Sequence, residues 1–302
     1  MQESVEVWYA DGSLVLRAGD TLFSVYSGIM AQRSTIFHDM FNTAQPNPTE
    51  TYNGRPVVEV FDDPEVLTYL LKSMHDHEYL ELQVLPKISR MLYVFELATK
   101  YHVVYLRSII LHRLLERFCA TTHAQFVDET RSSASLNNWI LIANVARRCD
   151  APILLPYALF QCGRKLKPSN LVLNDASREK LSQLDRALIA DGTVKLFQAL
   201  RRTAYQPVYF PSSDDFVTCS SVVNCRTGFS RMAQDLEDEI PQSLTARKVV
   251  WKSVRASYPN ICASCIARWR VSFGNGWLEV WDKLPSYFDL PTWEELKQQS
   301  EL

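Results

Sequence analysis

Apolar positions in the first third of the chain change spacing in an ordered way. Leu14-Val15-Leu16 and Leu22-Phe23-Ser24-Val25-Tyr26 are short β-prone runs. Ala18-Gly19-Asp20 between them supplies turn chemistry, so the pair predicts a hairpin. Ile29, Ile36, Phe37, Met40 and Phe41 then recur at helical spacing, with Ser34-Thr35 as a break that could divide the helix in two. Ile36, Phe37, Met40 and Phe41 are expected in the core. Residues 42–56, rich in Pro, Asn and Thr, predict a loop. Val57 to Phe61 is a β-branched strand, and Asp63-Pro64 is a helix start, an acceptor at the cap followed by a fixed φ. Leu67, Leu70, Leu71 and Met74 form the apolar stripe of that helix. Pro86 opens another, with Ile88, Met91, Leu92, Phe95 and Ala98 on one face, and Val103, Leu106, Ile110, Leu114 and Phe118 line a third.

Beyond Cys119 the pattern is helical at 136–148, 152–163, 176–189, 191–202, 229–240 and 243–256, and the chain closes with 277–284 and 291–299. Tyr205 to Val223 holds Pro207, Pro211, two Ser-Ser pairs and Asp214-Asp215, and predicts an extended loop. The fold class expected is α+β: a small mixed sheet packed on a helical cluster over 1–118, then a mostly α-helical domain over 119–302.

Composition narrows the function classes. Thirty-four acidic against 32 basic side chains argue against a coat for nucleic acid or an anionic membrane. Nine glycines in 302 residues disfavour Gly-rich phosphate loops, and neither GxGxxG nor GxxxxGK[ST] occurs. No Gly-x-Ser-x-Gly elbow is present, and no apolar run approaches a bilayer span. The opening MQESVEVWYADG lacks a signal-peptide core, so cytoplasm or nucleus is the expected compartment. Seven cysteines in such a chain are expected to be reduced and mostly buried.

Candidate chemistry is sparse. Cys262-Ala263-Ser264-Cys265 has the spacing of half a zinc site, and Cys219 with Cys225 could complete a four-thiolate tetrahedron. The five residues between Cys219 and Cys225 exceed the usual spacing. Cys262 and Cys265 also fall in an apparent helix between Val254 and Trp269, where two core thiols on one face look the same. Buried thiols without a cofactor are therefore the expectation, with structural zinc as the alternative. His75-Asp76-His77-Glu78 lacks the i, i+4 histidines of a zinc helix and reads as a solvated polar turn. His102 reads as a helix-junction residue. Arg247, Lys248, Lys252 and Arg255, with Trp251, Arg268 and Arg270, follow the acidic run Asp235, Glu237, Asp238 and Glu239 and read as a solvated, partly ion-paired helix face. Trp269, Trp277, Trp281, Phe288 and Trp293 could anchor a partner, but their spacing with Leu278, Leu284, Leu290 and Leu296 favours tail helices folding back on the domain.

Five fragments in order resemble the BTB/POZ domain in a divergent fungal, basidiomycete-type form. They are Asp11 to Leu16, Thr21 to Tyr26, and Ile29 to Phe41, where an Ile, a Ser and a Phe precede Met-Phe. Val57 to Phe61 with Asp63-Pro64, and Leu97 to Val103 with Leu106-Arg107, complete the set. Residues 281–290 with Trp293 to Leu296 are similar to the helical tail of the same proteins. Tyr26-Ser27 stands where the family usually has His-Arg, so the family's charged pocket beside Asp11 is not implied. The resemblance implies a non-enzymatic protein–protein interaction module that pairs with itself or a relative. Its first helix is the expected contact, which brings Ile29, Gln32 and Arg33 to that surface. Alternatives are a substrate adaptor of a cullin-type ubiquitin ligase, engaged near the 74–80 connection, and a zinc-containing nuclear regulatory protein. No nucleic-acid or membrane partner is expected.

Overall fold

The computed structural model describes residues 1–42, 50–127, 134–166, 180–238 and 251–300. The side chains of 237, 238, 251 and 252 also lie outside the description. The chain is mixed α and β and divides into two units: residues 1–116 with 147–150, and 117–146 with 151–302.

In the first unit, Leu14–Ala18 (β2) and Thr21–Val25 (β3) pair antiparallel. Gly19 takes φ 56° at the turn, a conformation that a side chain would strain. Both strands are buried almost throughout, interrupted only by half-buried Arg17 and Thr21. Arg55–Val60 (β5) lies parallel to β2 on its other side, reached by a helical crossover. Two strands extend the sheet beyond the expected three. Gln2–Trp8 (β1) runs parallel to β3, and the two-residue Thr51–Tyr52 (β4) runs antiparallel to β5. The order is β1-β3-β2-β5-β4. β1 escapes a periodicity search because its register slips between Glu3 and Trp8, and only Ser4 and Val7 are buried.

Ser34 divides the first helical pattern into Ser27–Arg33 (α1) and Thr35–Asn42 (α2). Its hydroxyl accepts from the Phe37 N–H at 3.0 Å and donates to the Tyr101 carbonyl, capping α2 and fixing it to the end of Ile88–Lys100. Phe37 is fully buried and stacks on Tyr101 at 4.3 Å. Ile36, expected inside, is 37% exposed, because the short α2 buries only the Phe37 face. Pro64–His75 (α3) starts as read: Asp63 accepts from the N–H groups of Glu65 and Val66. Ile88–Lys100 (α4) and Val104–Phe118 (α5) follow, with His102 at φ 51° in the junction.

The second unit is helical. Leu136–Arg148 (α6) and Leu155–Lys165 (α7) match the patterned stretches. Gln183–Arg202 (α8) is one helix, where the sequence predicted two meeting near Asp191. Gly192, beside the expected junction, answers a packing need. A Cβ there would lie 2.5 Å from the Phe288 ring, so only glycine admits that ring. The stretch read as an extended loop contains two short helical turns, Gln206–Tyr209 and Ser213–Phe216, anchored by buried Phe216. Val222–Asp238 (α9) begins several residues earlier than its pattern.

Ala263–Asp282 (α10) carries Trp269, Phe273, Trp277 and Trp281 at four-residue intervals, with adjacent ring centroids 6.2, 6.5 and 6.4 Å apart. All four are buried, as are Phe288 and Trp293, so the tail aromatics build a core. The Trp269 indole donates to the Ala204 carbonyl and the Trp293 indole to the Trp281 carbonyl, which removes the cost of burying those N–H groups. Trp293–Gln299 (α11) closes the chain behind a Thr292–Glu295 capping box. Among the described residues no helix is long and apolar enough to cross a membrane.

Two expectations follow. A Cβ on Gly276 would sit 2.2 Å from the Ala204 backbone nitrogen, whereas one on Gly274 in the same helix meets nothing within 4 Å. Gly276→Ala should therefore cost about 1–3 kcal/mol by urea denaturation, while Gly274→Ala should gain about 0.5–1 kcal/mol from helix propensity alone. Equal effects would show that the close approach does not constrain the packing. The second concerns His123, stacked on Trp277 at 5.8 Å, where burial holds its pKa below 6.5. Below pH 6.5 the unfolded chain takes up the proton first, so stability falls as pH drops toward the lower folded pKa and then levels. His123→Phe should remove that part of the loss between pH 7.5 and 5.5, read as the urea midpoint of tryptophan fluorescence.

Candidate metal centre

Four thiols of the second unit meet where two helices begin. Cys225 lies in the first turn of α9. Cys262 is the residue that caps α10, and Cys265 lies in the first turn of that helix. Cys262 was expected inside a continuous helix; instead Trp251–Ser257 ends, the chain turns through 258–261, and a new helix opens at Ala263. The CxxC pair therefore sits at a helix start, its partial positive end, where thiolate charge is favoured.

The fourth thiol comes from the segment read as loop. Ser212 and Asp215 form a capping box, and Phe216 packs 6.3 Å from Phe229 of α9. The Cys219 N–H then donates to the Phe216 carbonyl at 2.9 Å, which turns the chain and brings Cys219 to the cluster. The 258–262 segment is seated by Gly228. A Cβ there would lie 2.5 Å from the Ile261 side chain, and Ile261 is buried against this bare patch of α9. Sequence reasoning missed Gly228; its signal was a lone glycine within an amphipathic helix.

The four Sγ atoms lie within 4.8 Å of one another. Among the described residues this is the one group of three or more His, Cys, Asp or Glu side chains placed to share an ion. Cys262 Sγ is 3.9 Å from Cys219 Sγ, against about 3.8 Å for the edge of a tetrahedron with 2.3 Å Zn–S bonds. The Cys262 N–H donates to Cys225 Sγ at 3.2 Å, an outer contact typical of thiolate centres. Cys225 and Cys265 are buried; Cys219 and Cys262 are partly exposed. Burial pushes the Cys225 thiol up to about 11, and burial raises Cys265 too. Burial also opposes ionisation of Cys262, but the backbone N–H groups of Ser220 and Cys265, with the Ser220 hydroxyl and the Cys265 thiol, bring it down to about 6. A donor set of four soft sulfurs suits zinc rather than calcium or magnesium. The other cysteines, 119, 149 and 162, are buried and apart from this cluster.

The remaining candidate residues fall elsewhere. In the first unit, Ile29 is half-buried on α1, and Gln32 and Arg33 are exposed beside a groove of about 730 Å³ that also borders His38, His102 and Tyr105. Arg33 donates to the Tyr105 hydroxyl at 3.2 Å and lies over its ring. Asp11 accepts a hydrogen bond from the Tyr26 hydroxyl, which holds its carboxyl below the usual carboxylate range. A phenol thus partners this acid in a chain with Ser27 at the next position. His75 is not fully solvated: its Nδ1 bonds the Leu71 carbonyl, its ring lies tilted against Tyr9 at 5.0 Å, and burial lowers its pKa. His77 and Glu78 are exposed. Arg255, Arg268 and Arg270 are exposed, whereas Arg247 and Lys248, with the side chains of Lys252, Trp251, Glu237, Asp238 and Glu239, lie outside the described residues.

Comparison with family models, with curated proteins and with solved structures found no match to this chain.

Proposed function

We propose that this chain is a non-enzymatic protein-interaction protein whose second unit is held by a structural zinc ion on Cys219, Cys225, Cys262 and Cys265. The observation that carries the metal is the mutual approach of four thiols to within 4.8 Å from sequence positions up to 46 residues apart, 219 to 265. The fit rests on soft donors at two helix starts, with the exposed Arg268 reaching the Thr218 hydroxyl next to Cys219. Zinc supplies a four-way cross-link there: it joins the 217–221 segment, α9 and the start of α10, which also meet through Ile261, Phe216 and the Phe229–Trp269 ring pair. Its binding free energy becomes folding free energy for that corner.

The interaction reading draws on the first unit. A hairpin, two short helices, a parallel strand and a run of helices follow one another in the order that the BTB/POZ resemblance implies. Around α1 the surface offers Ile29, Gln32 and Arg33, with Ile36 37% and Val104 66% exposed nearby in the chain or on the same groove. Association would bury these aliphatic groups, a gain of about 25 cal/mol per Å² of apolar surface.

Two measurements test these readings separately. Elemental analysis of protein purified without chelators should give one zinc per chain, and Cys265→Ser should lower both zinc content and thermal midpoint; a metal-free wild type of full stability would exclude the zinc. Sedimentation equilibrium at tens of micromolar should show a dimer weakened at least tenfold by Ile29→Asp with Arg33→Glu. A strict monomer would exclude self-association.

A further inference from the structure

We propose that the thiol cluster is also a redox latch, in which hydrogen peroxide joins Cys219 and Cys262 as a disulfide and dismantles the four-sulfur site. The release of metal rests on the zinc reading above; the sulfur chemistry rests on geometry alone. The four sulfurs divide by access. Cys219 and Cys262 are partly exposed, while Cys225 and Cys265 are buried. The two exposed sulfurs are 3.9 Å apart, so forming a bond of about 2.05 Å requires them to close by only about 1.9 Å. The backbone permits this movement. Cys219 lies between the turn after Ser213–Phe216 and the start of α9, outside any helix, and Cys262 caps α10 with extended φ −68° and ψ 158°. Of the other two neighbours of Cys262, Cys225 is buried in the first turn of α9, and Cys265 is held within the first turn of α10, its thiol directed to the Asp215 carbonyl at 3.9 Å.

The chemistry balances with peroxide as the only oxidant. The Cys262 thiolate attacks one peroxide oxygen and the O–O bond breaks, leaving a sulfenic acid on Cys262 and one hydroxide. The Cys219 thiolate attacks that sulfur; the S–O bond breaks, the S–S bond forms, and a second hydroxide leaves. Two protons from solvent convert both hydroxides to water. The two thiolates lose two electrons and the peroxide gains two. Only Cys225 and Cys265 then remain as donors, two short of the set that a structural zinc requires. A compartment that keeps thiols reduced would make the disulfide transient, which suits a switch.

The test treats the full-length protein with hydrogen peroxide, follows metal with a chromophoric chelator, counts thiols, and maps non-reduced peptides by mass spectrometry. The expected result is loss of two of the seven thiols, release of the bound zinc, a Cys219–Cys262 cross-linked peptide, and reversal by dithiothreitol. Cys219→Ser should instead leave Cys262 as a sulfenic acid trapped by dimedone, and the wild-type peptide map decides the matter if that variant does not fold. A Cys262–Cys265 disulfide, or zinc released with no disulfide, would overturn the latch. Should the protein carry no zinc, the zinc reading alone fails, and formation of the Cys219–Cys262 bond still upholds the sulfur step.

Discussion

The row of rings along α10 is what the second unit depends on. Trp269, Phe273, Trp277 and Trp281 are spaced so that all four face inward, and two indole N–H groups of the unit, on Trp269 and Trp293, find backbone carbonyls. Gly276 lets this helix lie directly on the Ala204 backbone. A helix fixed along twenty residues has a fixed first turn, and that turn holds Cys262 and Cys265. The position of Cys262 and Cys265 is thus set by aromatic packing at a distance, and the preorganisation of these two thiols comes from apolar burial.

Much of this was legible from spacing. The hairpin, the Asp63-Pro64 start and the α6 boundaries were read from periodicity and capping chemistry, because in each the local signal and the tertiary demand agree. The misreadings have separate physical origins. The pattern was divided near Asp191, yet the helix runs on through Gly192, which is a seat for Phe288. Ile36 followed the apolar stripe, yet α2 is too short to bury it. β1 was missed because an edge strand with a slipped register need not alternate.

The candidate centre was legible as residues but not as geometry. Four cysteines with a CxxC pair were visible, and the apparent helix across 254–269 argued for ordinary core thiols. The turn at 258–261, which separates the two helices, holds Pro259 and Asn260, a local break that the helical reading across 254–269 passed over. Its seat is Gly228 on another helix, thirty-odd residues away in sequence, a constraint that local reading has no access to. The same holds for Cys219, whose placement follows from the Ser212–Asp215 cap and buried Phe216.

One feature of the first unit bears on how the protein can be dissected. Residues 147–150 belong with residues 1–116, and they contribute specific bonds: Arg148 forms a two-pronged ion pair with Glu96, and Arg107 donates to the carbonyls of Cys149 and Asp150. A fragment cut after α5 would lose all of these and leave two α4 and α5 side chains without their acceptors or donors. The smallest autonomous front piece therefore has its natural end beyond Asp150, so that expressing it means carrying α6 along as a passenger.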